Sequence, residues 1–425
     1  VFVLNGYAGT GKTSVIAALI KALSHCRIKS VVLAPTGRAA KVAGGMAMKP
    51  ASTIHRRIYH VETANGSMNV RLSANRDQNT VFIVDEASLI TDSSRGSLLR
   101  DLIRYVYSGQ GCRMILIGDT AQLPPVGQTD SPAMNIERLK QLGLAPFSHT
   151  LDVPVRQAAE SGILYNATIV RRIIERMQHG EPSGLGEGML PLKLDGFPDI
   201  QAVSNIDLAD ELSSSWSTVG PEETLIVTRS NGRANRFNQA IRNTVMYAEG
   251  PLQQGDRLVI AKNDYYWGRQ NKMKTFLANG ETVTVKWVGR PEKVFGRWFV
   301  DTELAIADGQ EMSAKIMLRS LMTEGPAIPR VEMEQFLQYV INEEEGAGPT
   351  ERIMAAMENP YYNALQAKYA YCVTCHKAQG GQWKHIYIDM GGIPAEAMQT
   401  DFYRWLYTAL TRATEKVFLL GVREN

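Results

Sequence analysis

With 425 residues, 44% of them hydrophobic and 21% charged, the chain has room for more than one core and the make-up of a globular protein. No apolar run approaches the ~18 residues of a membrane span. Cys372 and Cys375 have C-x-x-C spacing, but Cys26 and Cys112 supply no second pair, so free thiols in a cytoplasmic chain are expected rather than a zinc or redox centre. The net charge of +3 hides an asymmetry: residues 1–80 hold eleven Lys and Arg against only Glu62 and Asp77, which points to a surface that meets a polyanion.

In chain order, "VFVLN" (1–5) reads as a buried strand, followed by "GYAGTGKT" (6–13) and the helical "SVIAALIKAL". The octet fits G-x-x-x-x-G-K-[ST] completely. In that pattern Gly6, Ala8, Gly9, Thr10, Gly11 and Ser14 belong to a loop whose backbone N–H groups wrap phosphate oxygens at the start of a helix. Lys12 faces the β- and γ-phosphates and the Thr13 hydroxyl ligates Mg²⁺. "SVVLAP" (30–35) is the next strand. Residues 58–75 read as strand, Asn65-Gly66 turn and strand, since Asn-Gly is a strong hairpin signal.

"TVFIVDE" (80–86) is a buried strand whose end projects Asp85 toward the metal and Glu86 toward an attacking water. "RMILIGD" (113–119) leads into "TAQLPPVG", where the neutral amide of Gln122 can sense a γ-phosphate and Pro124-Pro125 stiffen the path beyond it. Positive charge for the transition state has two sources, Arg156 in "LDVPVRQ" and Arg412 in "LYTALTRAT", each of which could equally be a surface arginine on its own.

"HGEPSGLGEGMLP" (179–191) is a loop by its glycine and proline content. The runs "TLIVTRS" (224–230), "HIYIDM" (385–390) and "KVFLLGV" (416–422) predict a second parallel sheet. "GETVTVKWVG" and "GRWFVDTELAI" predict a small antiparallel barrel interrupting it. The expected organisation is an α/β motor domain over 1–150, a second over 151–255 and 366–425, and a β-rich insert over 256–365.

The ordered set "GYAGTGKT", "APTGRAAK" (34–41), "STIH" (52–55), "VDEAS", "GDTAQLPPVG", "VRQ", "TCHKAQGGQW" (374–383) and "YTALTRAT" (407–414) resembles the superfamily 1 helicases. More narrowly it resembles the RecD and Dda branch, whose members move 5′ to 3′ on single-stranded DNA. The 3′-to-5′ branch carries an aromatic where this chain has "QLPPVG", and the RNA-decay helicases have "DxFQG" where it has "HKAQG". The resemblance implies two RecA-like P-loop NTPase domains, a β-hairpin pin at 58–75 and an SH3-like barrel as the β-rich insert. It implies ATP and Mg²⁺, with Arg156 and Arg412 as γ-phosphate arginines, Gln122 as the coupling residue, and Gln379 and Gly380 beside the nucleotide.

Pro35, Thr36, Arg38, Ser52, Thr53 and His55 fall in motifs that touch the DNA strand in that family, and Thr374, His376 and Lys377 in their counterpart. Hydroxyls and backbone N–H groups suit phosphates, and rings suit bases. Tyr59, His60 and Met68 are wedge candidates, each equally readable as packing. The partners implied are single-stranded DNA and duplex junctions, met by a monomer that also works beside repair or replication proteins. An RNA translocase and a DNA-binding ATPase subunit of a recombination complex stay open as alternatives. The family places an adenine-reading glutamine upstream of the phosphate loop, so a native segment ahead of Val1 is expected.

Overall fold

The computed structural model describes residues 1–47, 49–64, 67–92, 96–153, 161–186, 189–273, 276–306, 309–345 and 348–422. Arg156 and the Asn65-Gly66 turn lie outside the described residues, as does the side chain of Met68. The chain forms two compact units. One comprises Val1–His60, Leu72–Arg229 and Thr374–Asn425; the other comprises Val61–Arg71 and Ser230–Val373.

The first unit is built on a six-stranded parallel sheet in the order Ala51–Thr53, Lys29–Ala34, Thr80–Val84, Arg113–Gly118, Phe2–Gly6, Phe147–Leu151. Neighbouring residues of one strand point to opposite faces, and here both faces are covered. Val3, Leu33, Phe82, Val84 and Leu116 pack on Leu99, Leu102 and Tyr105 of the helix Leu98–Ser108. Leu4, Val32, Ile83 and Ile117 pack on Ile16 and Ile20 of the helix Lys12–His25. That double coverage is why these strands read as unbroken apolar runs. Because every strand runs the same way, all their carboxyl ends share one edge, which is where open parallel sheets bind ligands.

A second parallel sheet in the same unit runs in the order Thr224–Thr228, Trp383–Asp389, Ala413–Leu420, Ile200–Val203. The strand Ile200–Val203 was not marked by any expected element. It is four residues long, and only Ile200 and Val203 are buried, too short a pattern to stand out.

In the second unit, Arg257–Ile260, Thr282–Val288, Arg297–Ile306 and Glu311–Met317 pair antiparallel in succession. Ala367–Tyr369 pairs with Arg257–Ile260. The parallel bridge Ile316–Leu365, with Leu365 N donating to Lys315 O at 2.7 Å, closes the ladder into a ring. The antiparallel ladder therefore extends past the boundary expected at 365, because a barrel needs this strand to cover its own edge. The stretch expected to be β-rich also holds the helices Arg330–Glu343 and Pro349–Met357, whose Phe336, Val340 and Ala356 pack against Phe299.

One buried pair anchors the helix Asn231–Thr244 within this unit. Asp256 accepts from Arg242 Nε at 3.1 Å and Nη2 at 2.9 Å, from the Tyr371 hydroxyl at 3.0 Å and from Gln253 N at 2.8 Å. The Arg242 guanidinium also lies 4.6 Å over the Tyr369 ring. The strands Tyr59–Ala64 and Ser67–Leu72 pair as a two-stranded sheet, as the Asn-Gly signal predicts. Tyr59 is held at its base, its hydroxyl donating to Asp101 Oδ2 at 2.6 Å, and His60 Nδ1 meets Ser73 Oγ at 3.1 Å. Among the described residues no helix is long and apolar enough to cross a membrane.

Candidate nucleotide and nucleic-acid site

The strand Phe2–Gly6 ends in the glycine loop. Gly9 and Gly11 have φ of +75° and +82°, a backbone region that costs an L side chain energy, so these two glycines are what let the loop curl. Gly11 leads straight into the helix Lys12–His25, which has neither a side-chain cap nor an acidic residue in its first turn. Its first N–H groups and positive dipole end are thereby left for an anion. Thr13 and Ser14 lie in that turn. Thr10 Oγ1 steadies the loop by donating to Tyr7 O at 2.8 Å.

Lys12 folds back into the loop. Its Nζ donates to the carbonyl of Gly6 and to Tyr7 O at 3.1 Å, and stands 3.6 Å from Asp119 Oδ2. Asp119 follows the strand Arg113–Gly118 and is wholly buried. Two strands away from the loop strand, Val84 hands over to Asp85, whose N–H still donates to Leu33 O at 2.9 Å. Burial, then the neighbouring Glu86 carboxylate, push the Asp85 carboxyl up to about 6, against the pull of the Glu86 N–H and the Lys12 ammonium.

Glu86 sits in the left-handed region at φ 51°, ψ 36°. Such a backbone is costly for a residue with a side chain and clusters at functional sites. Its Oε1 is 3.9 Å from Arg412 Nη1, and its Oε2 is buried with no hydrogen-bond partner among the described residues. Gln122 is buried as well, its Oε1 equally unpartnered. Both oxygens can accept from a further group at this edge.

Arg412 is only 3% exposed and spreads its guanidinium over Thr408 O (3.1 Å), Gly381 O (3.0 Å) and Thr411 Oγ1 (3.3 Å). The segment that carries it is stitched to the first sheet by several bonds. Leu123 N donates to Thr408 Oγ1 at 2.8 Å, and Gln379 Nε2 donates to Leu123 O at 2.6 Å. The Tyr407 hydroxyl accepts from Ala8 N at 2.8 Å and donates to Asp119 Oδ2 at 2.8 Å. Gln379 is thus occupied at Leu123 rather than at the glycine loop. Gly380, at φ +72°, lies where a Cβ would come within 3.0 Å of Thr36 Oγ1.

Of the residues expected along a nucleic-acid strand, Pro35, Thr36, Ser52 and Thr53 lie at the carboxyl ends of the first sheet, whereas Thr374, His376 and Lys377 lie at and after a strand of the second sheet. Thr36 Oγ1 accepts from Ala39 N at 3.2 Å, and Thr53 caps the helix Ile54–Ile58 by accepting from Arg56 N. Pro35 and Ser52 lie at or beside the ends of their strands. His55 has its imidazole pushed below its usual range by burial, so near pH 7 it is a neutral ring, 5.7 Å from Tyr59. Arg38 stacks 4.0 Å over the Trp383 ring and donates to Gln382 O at 2.6 Å. Thr374 precedes the helical turn Cys375–Ala378 that holds His376 and Lys377, and burial lowers the Lys377 ammonium from its usual range. Burial pushes the Cys375 thiol up to about 12, which leaves it an unreactive thiol at neutral pH.

Three polar residues that lie within the quoted motifs but are not among the named candidates also stand at this edge: Asp119, Tyr407 and Thr408. Asp119 ends its strand as Asp85 ends its own, and that parallel was the available signal. Tyr407 and Thr408 lie on a helix buried on all sides, Thr400–Leu410, where composition alone does not separate core from site.

A family model of the AAA domain matches residues 1–165, and one of the UvrD-like helicase C-terminal domain matches residues 369–420. The ATP-dependent RecD2 DNA helicase of Deinococcus radiodurans is 30% identical to the chain, over 62% of the chain and 34% of that protein. An uncharacterized protein of Methanocaldococcus jannaschii is 31% identical over 99% of the chain and 36% of its own length. The chain thus spans about a third of the length of these two curated relatives. A crystal structure of the Pif1 helicase from Bacteroides with ADP-AlF3 and ssDNA covers all of this chain and 89% of its own, at 16% identity and a TM-score of 0.49.

Proposed function

We propose that the chain, whose ordered motifs resemble those of superfamily 1 helicases, is an ATP-driven motor that moves 5′ to 3′ on single-stranded DNA and unwinds duplex ahead of it. One observation carries this reading. The glycine loop, Asp85, Glu86 and Gln122 share one sheet edge, and Arg412, from the far end of the chain, reaches to 3.9 Å of Glu86. The two parallel sheets then serve as RecA-like halves, with Arg156 as a second arginine from the later one. Alternate tightening and loosening of the stitched contacts between them would convert nucleotide state into movement.

In this scheme Lys12 leaves Asp119 and the loop carbonyls to neutralise phosphate. The Glu86 carboxylate orients a water, its unpaired Oε2 being the atom with capacity to accept that water's proton. Gln122 reads the terminal phosphate, and Arg412 opposes the charge that develops there. Thr13 and Asp85 are hard oxygen donors and fit Mg²⁺, which when bound supplies charge neutralisation between phosphates. Pro35, Thr36, Arg38, Ser52, Thr53, His55, Thr374, His376 and Lys377 form the DNA track. The paired strands Tyr59–Ala64 and Ser67–Leu72 act as the pin, and the closed ladder of the second unit as the SH3-like insert.

The test is unwinding of forked duplexes with only a 5′ or only a 3′ single-stranded tail. Unwinding is expected from the 5′ tail and is lost in Lys12→Ala together with DNA-stimulated hydrolysis. Unwinding from the 3′ tail alone overturns the direction, and stimulation by RNA but not DNA homopolymers overturns the substrate.

Asp85 makes a separate prediction. Its carboxyl is raised above the usual 3.8 to about 6, so the folded protein holds this proton more tightly than the unfolded chain. The stability it contributes is full at low pH and is lost as pH rises through that window. A protonated carboxyl does not ligate a divalent cation. Hence kcat/KM for Mg-ATP, which reports the free enzyme, should fall about tenfold per pH unit below about pH 6. A profile flat to pH 5 removes Asp85 from the metal site.

A further inference from the structure

The Tyr407 hydroxyl occupies one N–H of the glycine loop. It takes the Ala8 N–H, a donor of the glycine loop, and gives its own proton to Asp119, the carboxylate that also faces Lys12. The ring is 1% exposed, and the Asp119 carboxylate has a second hold in Ala121 N at 3.0 Å. Burial, with Asp119 beside it, keeps the phenol protonated far above neutral pH, so it remains both donor and acceptor. Five residues further along, the same segment carries Arg412 to Glu86. One segment thus touches both the glycine loop and Glu86.

We infer that Tyr407 is a positioning residue for the terminal phosphate: its hydroxyl fills the Ala8 N–H until a nucleotide bearing a third phosphate takes that donor, and the exchange resets the segment that holds Arg412. This rests on the reading of the site as an ATPase. With Ala8 N–H assigned to the third phosphate, a nucleotide with two phosphates is expected to leave the Tyr407 bond in place. A backbone N–H offers a single proton, so the phenol oxygen and a phosphate oxygen compete for it.

Tyr407→Phe removes the competitor and keeps the ring. Equilibrium titration with ADP and with a non-hydrolysable ATP analogue is expected to show the analogue bound about two- to tenfold tighter than by the parent, the worth of one net hydrogen bond, with ADP unchanged within about twofold. Turnover should fall, because the Arg412 segment has lost a tether, so KM and kcat decrease together. Thr408→Val is the control. It loses the Leu123 tether without touching Ala8, and should slow turnover with the ratio of analogue to ADP affinity as in the parent.

If the two nucleotides shift alike in Tyr407→Phe, or neither shifts, the inference falls and the site assignment stands. If the parent binds neither nucleotide, both fall. Should Tyr407→Phe melt below the assay temperature, 3,5-difluorotyrosine at position 407 weakens the acceptor while preserving the bond to Asp119. The same selectivity shift, smaller in size, is then expected, and its absence overturns the inference.

Discussion

Arg412→Lys is expected to bind ADP as the parent does and to hydrolyse ATP about 10²- to 10³-fold more slowly, toward the lower end of what arginine fingers supply. The substitution keeps the charge and removes the fork. In the folded chain the guanidinium bonds Thr408 O, Gly381 O and Thr411 Oγ1 at once while remaining 3.9 Å from Glu86. A single ammonium on a flexible stem cannot hold those acceptors and keep the same reach, so the two residues are not equivalent here. Single-turnover hydrolysis beside an ADP titration checks this. Normal turnover removes Arg412 from the site, and lost ADP binding assigns it to the fold instead.

Asp256→Ala should destabilise the second unit by about 3–5 kcal/mol, the usual cost of breaking a buried ion pair on one side. Asp256 is 0% exposed and receives four hydrogen bonds, two of them from Arg242, so its removal strands a buried cation and leaves the Tyr371 hydroxyl short of an acceptor. Equilibrium urea unfolding measures it. The double replacement Arg242→Met with Asp256→Leu should recover much of the loss, because the stranded charge goes with its partner. A single-variant loss below about 1 kcal/mol would show that water reaches this pair.

The phosphate loop was legible because its residues are contiguous and each has one chemical reason to be there. The strands were legible because burial on both faces leaves a plain apolar run. What could not be read is what closes over distance. Tyr407 meets Ala8 across 399 residues and Asp119 across 288, and nothing local marks a tyrosine for that role. Arg38 reads, by resemblance, as a residue of a DNA-contacting motif, yet its guanidinium lies on the Trp383 ring and bonds Gln382 O, 344 residues away.

The helix Arg330–Glu343 is masked in the sequence for another reason. Met333, Phe336, Leu337, Val340 and Ile341 carry a helical period, but the β-branched and aromatic runs before it set the reading of the whole stretch. Barrel closure through Ile316 and Leu365 is a single bridge between residues 49 positions apart, invisible to any local pattern.

The backbone at Glu86 has a bearing on how this chain would drift under artificial selection. At φ 51° the position suits glycine better than glutamate, so a screen that rewards only heat resistance has a gradient pointing away from the carboxylate. Survivors of such a screen would gain robustness at the very residue on which the proposed hydrolysis turns. A library meant to harden this protein should therefore hold position 86 fixed, and enrichment of glycine there would be a sign that selection had stopped seeing the reaction.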